Sequence, residues 1–412
     1  MLIVKVFLAL VALCAMGRAA ELTLDKALAL ADANSPLIEE SKAVQAGASA
    51  GIVTAKAYPN PQFNFLAGHQ AARPIAMPAV PGMLTHYSVS QPIETPVVRR
   101  TRLQAARRGL ESSTEGMRGT RVALVANVKH AFFEVLHRKE EINHTRQSLE
   151  LVQDLRRRVA VQVDVGEVGR LELTRAEAEI AIAQTAMKGA QLRYAGAVAA
   201  LRVAIGAPAT DEINPVGSLD VNVAVPALDA ARKTVLQNHP AIAQARAEME
   251  RAQSLLANEK ALRFPQFGVY GEYEHQPDLT FYRAGLNIPL PLWNRRKGEI
   301  EAATAEVRRA AAVEAQRRLE LTAALERSYS QFQLADDQVK SFQAGSLRQA
   351  EAALTAAQAA YRFGERGIIE VLDAQRVLQS VRGDYLDARF QREDALIDLE
   401  ELGAVSGIVD GK

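Results

Sequence analysis

Gly364-Glu365-Arg366-Gly367-Ile368-Ile369-Glu370-Val371-Leu372-Asp373-Ala374 lies between two long runs of helical periodicity. Gly166-Glu167-Val168-Gly169-Arg170-Leu171-Glu172-Leu173-Thr174-Arg175-Ala176 repeats its pattern 198 residues upstream. Both stretches read Gly-Glu-x-Gly-x-apolar-Glu-apolar-x-x-Ala. A glycine that accepts a left-handed backbone ends one helix, and a second glycine opens the next. The glutamate three residues further on falls in the first helical turn, where the macrodipole favours negative charge. The pattern therefore predicts two copies of one long helical hairpin, each with a glycine turn at its tip.

Outward from the turns the duplication continues. Arg99 to about Val163 contains no proline, and a helix of that length reaches roughly 95 Å at 1.5 Å per residue. Leu171 to Ile205 is the return helix, ended by Gly206-Ala207-Pro208. In the second copy the corresponding helices run over about 298–363 and 368–402. Ahead of each hairpin come a helix and two strands. His239-Pro240-Ala241-Ile242 echoes Ser35-Pro36-Leu37-Ile38, and Phe264-Pro265-Gln266-Phe267 echoes Asn60-Pro61-Gln62-Phe63, both at an offset of 204. Period-2 alternation predicts strands over about 62–70, 84–91, 266–274 and 280–288, after a helix from Leu22 to Ala57 that Ser35-Pro36 restarts. The first strand pair is joined by an exposed loop with Pro74, Pro78 and Pro81. Repeat 1 thus spans 21–214 and repeat 2 spans 227–405, with a linker at 215–226 and a tail at 406–412. The fold class is mainly α with a small β part.

Composition narrows the function. The 412 residues are 48% hydrophobic and 24% charged, and their net charge of +1 argues against a nucleic-acid partner. With only 5% aromatic residues the chain suits long packed helices better than an aromatic-lined pocket. Met1 to Ala20 has the form of a secretory signal: Lys5, an apolar run Val6 to Met16, then Gly17-Arg18-Ala19. The single cysteine, Cys14, falls inside it, and the bulky Leu13 before it speaks against lipid attachment. Without Cys14 the chain has no disulfide and no cysteine metal site. No catalytic triad, glycine-rich phosphate loop or paired metal-ligand motif is present. Neither an enzyme nor a bound cofactor is expected.

The four strands approach the roughly 9–11 residues of a membrane-crossing strand. Four strands cannot close a barrel, and open edges cannot face lipid. Closure therefore needs other copies, and three chains would supply twelve strands, an even number within the known range.

The paired turns, the two Pro-Gln-Phe strand starts at Pro61 and Pro265, and the strand exit Asn287-Ile288-Pro289-Leu290-Pro291-Leu292-Trp293-Asn294-Arg295-Arg296-Lys297-Gly298 resemble the TolC-like outer-membrane factor family over essentially the whole mature chain. The strand exit is similar to a segment of the heavy-metal branch, the cobalt–zinc–cadmium type. The resemblance implies a homotrimeric conduit in the outer membrane of a Gram-negative bacterium. A twelve-stranded β-barrel in the lipid is continued through the periplasm by a helical barrel. A periplasmic adaptor and an inner-membrane pump of the RND type are its partners. Heavy-metal cations are the expected cargo; drugs or solvents, and type I protein secretion, are the alternatives within the family. A periplasmic coiled coil without a pore is the alternative outside it.

The resemblance also assigns roles at the tips. Glu370 and Asp373, three apart on one helix face, form an acidic ring at the periplasmic entrance together with Glu172, the repeat-1 counterpart of Glu370. Arg366 and Tyr361 flank the second turn as a latch toward Glu172. Gly166, Gly169, Gly364 and Gly367 form the turns and the adaptor contact. His130, His137 and His144 recur every seven residues along one stripe. Successive members are roughly 10 Å apart by helix rise, too far to converge on one metal ion. A packed or solvated stripe is the expectation, with transient metal contacts as the alternative. Trp293 suits a membrane interface.

Overall fold

The computed structural model describes residues 20–71, 80–208, 210, 212–220 and 223–405. The expected signal up to Ala19, with Cys14, lies outside them, as do Pro74 and Pro78 of the strand loop and the tail 406–412. In chain order the elements are β1 (Ala20–Leu22), α1 (Leu24–Asn34), α2 (Pro36–Lys56), β2 (Gln62–Gln70), β3 (Gly82–Ile93), α3 (Pro96–Asp164) and α4 (Arg170–Ile205). Then follow β4 (Ile213–Pro215), α5 (Leu228–Asn238), α6 (Pro240–Leu262), β5 (Phe267–His275), β6 (Thr280–Asn287) and α7 (Lys297–Ser341). A π-helical turn, Phe342–Ser346, leads into α8 (Leu347–Arg362), and α9 (Ile368–Glu401) ends the series.

Three local features depart from the sequence pattern. The helix expected from Leu22 begins at Leu24, Leu22 belonging to β1, while Pro36, which lacks the N–H that would continue α1, starts α2 as the sequence pattern expects. Pro240 divides α5 from α6 in the same way, after His239 N–H closes on the Val235 carbonyl at 3.0 Å. The helix expected over 298–363 is interrupted by the π turn, which contains Gly345, a residue with weak helix preference. Thirdly, the start of the linker is ordered: β4 pairs in parallel with β1, and the Lys139 ammonium donates to Asn214 Oδ1 and the Pro215 carbonyl, both at 3.1 Å.

The chain forms two compact units, and each draws on both sequence repeats. One comprises 20–39, 119–239 and 320–405 of the described residues. Its main core joins Val128, Phe132 and Phe133 of α3, Leu201 and Ile205 of α4, Leu396 and Ile397 of α9, and Leu24 of α1. On α4 the residues Ala176, Ala183, Ala190, Ala197 and Ala204 recur every seven positions, and none exceeds 8% exposure. A stripe of methyl groups lets neighbouring helices approach closely, as small residues do wherever helix axes come near one another.

The His130–His137–His144 stripe lies in this unit. His130 Nδ1 is 2.5 Å from Asp394 and its Nε2 is 3.2 Å from Asp398. His137 stacks on Phe390, with centroids 4.6 Å apart, and its Nε2 is 2.8 Å from Asp387. His144 is half-buried, and burial pushes its imidazole below the ordinary value. Among the described residues no group of three or more metal-ligating side chains converges.

The other unit comprises Glu40–Arg118 and Pro240–Leu319. It carries a four-stranded antiparallel sheet in the order β2-β3-β5-β6. The Gln266 side-chain carbonyl accepts from Thr95 N–H at 2.9 Å, tying the second Pro-Gln-Phe strand start to the exit of β3. Cross-strand register fixes which side chains share a face. One face carries the rungs Phe63–Val89–Gly271–Ala284 and Phe65–Tyr87–Tyr273–Tyr282. The rings of the second rung follow one another at 4.9, 6.0 and 5.1 Å across all four strands. Phe63, Phe65, Met83, Val89, Tyr282 and Leu286 are exposed on that face. The opposite face carries Asn64–Ser88–Glu272–Arg283 and Gln62–Ser90–Tyr270–Gly285. A sheet with one apolar, aromatic face and one mostly polar face has the alternation of a membrane-barrel wall.

Candidate functional site

The two glycine turns are built alike. Gly166 has φ 81° and Gly364 has φ 74°, in the left-handed region that favours glycine. In the first turn the Glu167 N–H reaches back to the Gln162 carbonyl at 2.9 Å; in the second, Glu365 N–H reaches the Ala360 carbonyl at the same distance. This is the Schellman geometry, which satisfies carbonyls a helix end leaves open. Gly169 and Gly367 then cap α4 and α9 in extended conformation without a side-chain cap. Glu172 and Glu370 occupy the first turns they introduce, beside unpaired N–H groups.

Packing brings the two tips together. Leu155, Val159 and Ala176 of the first hairpin share one apolar cluster with Leu354, Tyr361, Ile368, Val371 and Leu372 of the second. Tyr361 is buried, and its hydroxyl donates to Gln162 Oε1 across the hairpins. Burial raises the Tyr361 phenol above its ordinary value, and the nearby Glu172 carboxylate adds to the effect. Glu172 and Glu370 flank Gly367: a Cβ there would lie 3.9 Å from Glu172 Oε1 and 3.5 Å from Glu370 Oε2. Glu172 is half-buried, and its Oε2 has no hydrogen-bond partner among the described residues. Glu370 and Asp373 are both exposed.

The expected Arg366–Glu172 pairing is not what the tip contains. Arg366, in the turn itself, instead faces Glu370 in the first turn of α9 at 4.0 Å, with both side chains in solvent. Toward the tips, two of the polar contacts that join the hairpins are ones the sequence reading passed over. One is the Tyr361–Gln162 hydrogen bond; the other joins Arg376 Nη2 to Glu179 Oε2 at 2.5 Å, with Glu179 almost fully buried. The spacing held a signal for the second, since Glu179 lies seven residues after Glu172 on the same stripe of α4. Trp293 is 93% exposed on the strand exit, beside exposed Leu290 and Leu292.

A sheet with an apolar outer face and two open edges, on a chain built around duplicated helical hairpins, defines a protomer of an outer-membrane channel. The chain belongs to the outer membrane efflux protein family, whose model matches residues 27–207 and 231–404. It is similar to the cobalt-zinc-cadmium resistance protein CzcC of Cupriavidus metallidurans, with 26% identity over 93% of this chain and 90% of that protein. It is also similar to the nickel-cobalt-cadmium resistance protein NccC of Alcaligenes xylosoxydans, with 26% identity over 74% of this chain and 69% of that one. Among solved structures it matches CusC with a TM-score of 0.80 and 20% identity, covering 94% of this chain and 93% of CusC. The protein is thus an efflux channel of the Gram-negative outer membrane, a passive conduit and not an enzyme.

Proposed function

We propose that three copies of this chain form the outer-membrane conduit of a tripartite system exporting heavy-metal cations. The observation that carries the trimer is the sheet order, because β2 and β6 each have one unpaired edge. Such edges are untenable in lipid unless another copy pairs with them. The metal cargo rests on the similarity to CzcC along 93% of the chain, together with the Ile288 to Arg296 strand exit. A periplasmic adaptor and an inner-membrane pump complete the system, and the long helices extend into the periplasm. The turns at Gly166, Gly169, Gly364 and Gly367 meet the adaptor, since a tip with little side chain admits another hairpin closely.

At the same tips, threefold repetition turns Glu370 and Asp373 into stacked carboxylate rings, with Glu172 behind them. Such rings attract cations and hold back anions. Tyr361 serves as the latch, through Gln162, and Arg366 tempers the charge of Glu370. His130 and His137 direct ring nitrogens at carboxylates of α9, which supports packing and not cargo contact as the role of that stripe.

The test is outer-membrane fractionation followed by single-channel recording in planar bilayers. Cation-selective conductance is expected, and replacing Glu370 and Asp373 together with alanine should weaken both the selectivity and block by multivalent cations. A soluble, non-conducting chain would sink the channel; unchanged block in the double variant would remove the acidic ring.

A further inference from the structure

The four long strands contain only three formally charged side chains, Glu272, Glu274 and Arg283. All three lie on the polar face of the sheet, and Arg283 binds both carboxylates. Arg283 Nε is 2.6 Å from Glu272 Oε1, and its Nη2 binds Glu274 Oε2. His86, on the neighbouring strand, turns Nε2 toward Glu272 at 3.7 Å and Nδ1 toward Glu274 at 3.9 Å. The carboxylates are largely buried, with side chains 19% and 16% exposed, whereas Arg283 is 48% exposed. The remainder of that face is neutral: Gln62, Asn64, Ser88, Ser90, Tyr270 and Asn287 alternate with Leu66, Leu84 and Phe281.

Position along the strands adds to the case. β5 ends at His275 and β6 begins at Thr280, so the cluster lies within a few residues of the hairpin end. The helices attach at the opposite end, through Gln62, Ile93, Phe267 and Asn287. Glu272 is about 10 Å from the hairpin end at the usual rise per strand residue. Charged side chains on a barrel strand are tolerated on the water-filled side and costly on the lipid side. A charge cluster confined to two adjacent rungs of the polar face, Ser88–Glu272–Arg283 and His86–Glu274–Phe281, is therefore directed at the lumen.

We propose that Glu272, Glu274 and Arg283, with His86, form a second ion-selecting ring at the outer mouth of the channel, distinct from the carboxylates of the helix tips. Two carboxylates share one guanidinium, which leaves one uncompensated negative charge per chain within two adjacent rungs of the wall. Repeated around the pore, this makes the last constraint on a leaving ion favourable to cations. Arg283 is a tethered counter-cation that keeps the carboxylates from holding a metal ion too tightly, since conduction requires binding weak enough to release. The ring rests on the trimeric-barrel reading above.

The test is the reversal potential of the purified full-length protein in planar bilayers under a tenfold salt gradient, measured also on the Glu370→Ala/Asp373→Ala background so that the entrance cannot mask the exit. Arg283→Gln should raise the cation-to-anion permeability ratio about twofold or more, and Glu272→Gln/Glu274→Gln should lower it by a similar factor. Opposite shifts from the two variants are the result that supports the ring. Should the double glutamine variant fail to insert, Arg283→Gln by itself decides, because it leaves both carboxylates facing water. Normal conductance with an unmoved reversal potential would overturn the ring and leave the channel standing. Absence of conductance in the unaltered protein would overturn the channel reading and the ring together.

Discussion

His130 shows how single side chains join the two repeats. It leaves α3 in the first repeat and meets Asp394 and Asp398 on α9 in the second, one turn apart. Burial disfavours its charge, but the two aspartates outweigh that and raise it from 6.5 to about 9. Glu401 stands close by, its own carboxyl pushed up by burial and by Asp398. The folded state therefore binds the His130 proton more tightly than the unfolded chain does. Its contribution to stability is complete below about 6.5 and disappears as pH rises through about 9. Thermal unfolding in detergent should show a midpoint that falls across that window, and His130→Gln should flatten the fall. An unaltered slope in the variant would show that other groups govern it. His144, depressed by burial, acts in the opposite sense: it favours the fold above the ordinary histidine value and loses that contribution as pH falls.

Among elements, α4 states its packing most directly. Its five alanines at seven-residue intervals form a narrow buried seam, and Ala190 in the middle is fully enclosed. Replacing Ala190 with leucine would force extra atoms into a close helix contact, at a cost of about 1–3 kcal/mol. The reverse change at exposed Leu192, to alanine, should be nearly neutral by comparison. Chemical denaturation of the two variants separates them, and equal midpoints would refute the seam. The duplicated glycine turns were readable in the sequence because each depends on spacing within one turn; the burial of the alanine seam came from the packing. The break between α7 and α8 was not readable in the sequence. Phe342 packs against Tyr385 at 5.8 Å, and Gln343 Nε2 donates to its hydroxyl at 3.2 Å. These contacts with α9 accompany a wider turn that no local pattern announces.

On the scale of the whole molecule, the sheet order governs assembly. Four strands, with β3 and β5 paired at the middle, leave one edge from each repeat to be completed by other copies. Sedimentation of the detergent-solubilised protein should give a mass of three chains. A homogeneous monomer would leave β2 and β6 unpaired and count against the barrel. The tips were legible only in part. Glu172 and Glu370 flank Gly367, and Tyr361 feels the charge of Glu172. Two bonds between the hairpins near the tips, Tyr361 to Gln162 and Arg376 to Glu179, join residues 199 and 197 positions apart.

The sequence alone determined the duplicated helical hairpins, their glycine turns, the strand pairs and the acidic first turns. These follow from backbone sterics, side-chain period and the helix dipole, which act over a few residues. Only the tertiary structure decided which charges meet. Arg366 turned to Glu370 just across its own turn, and Arg283 drew Glu272 and Glu274 into one cluster on the polar face. Pairing of that kind depends on register between strands and rotation between helices, which are set by how the apolar faces pack.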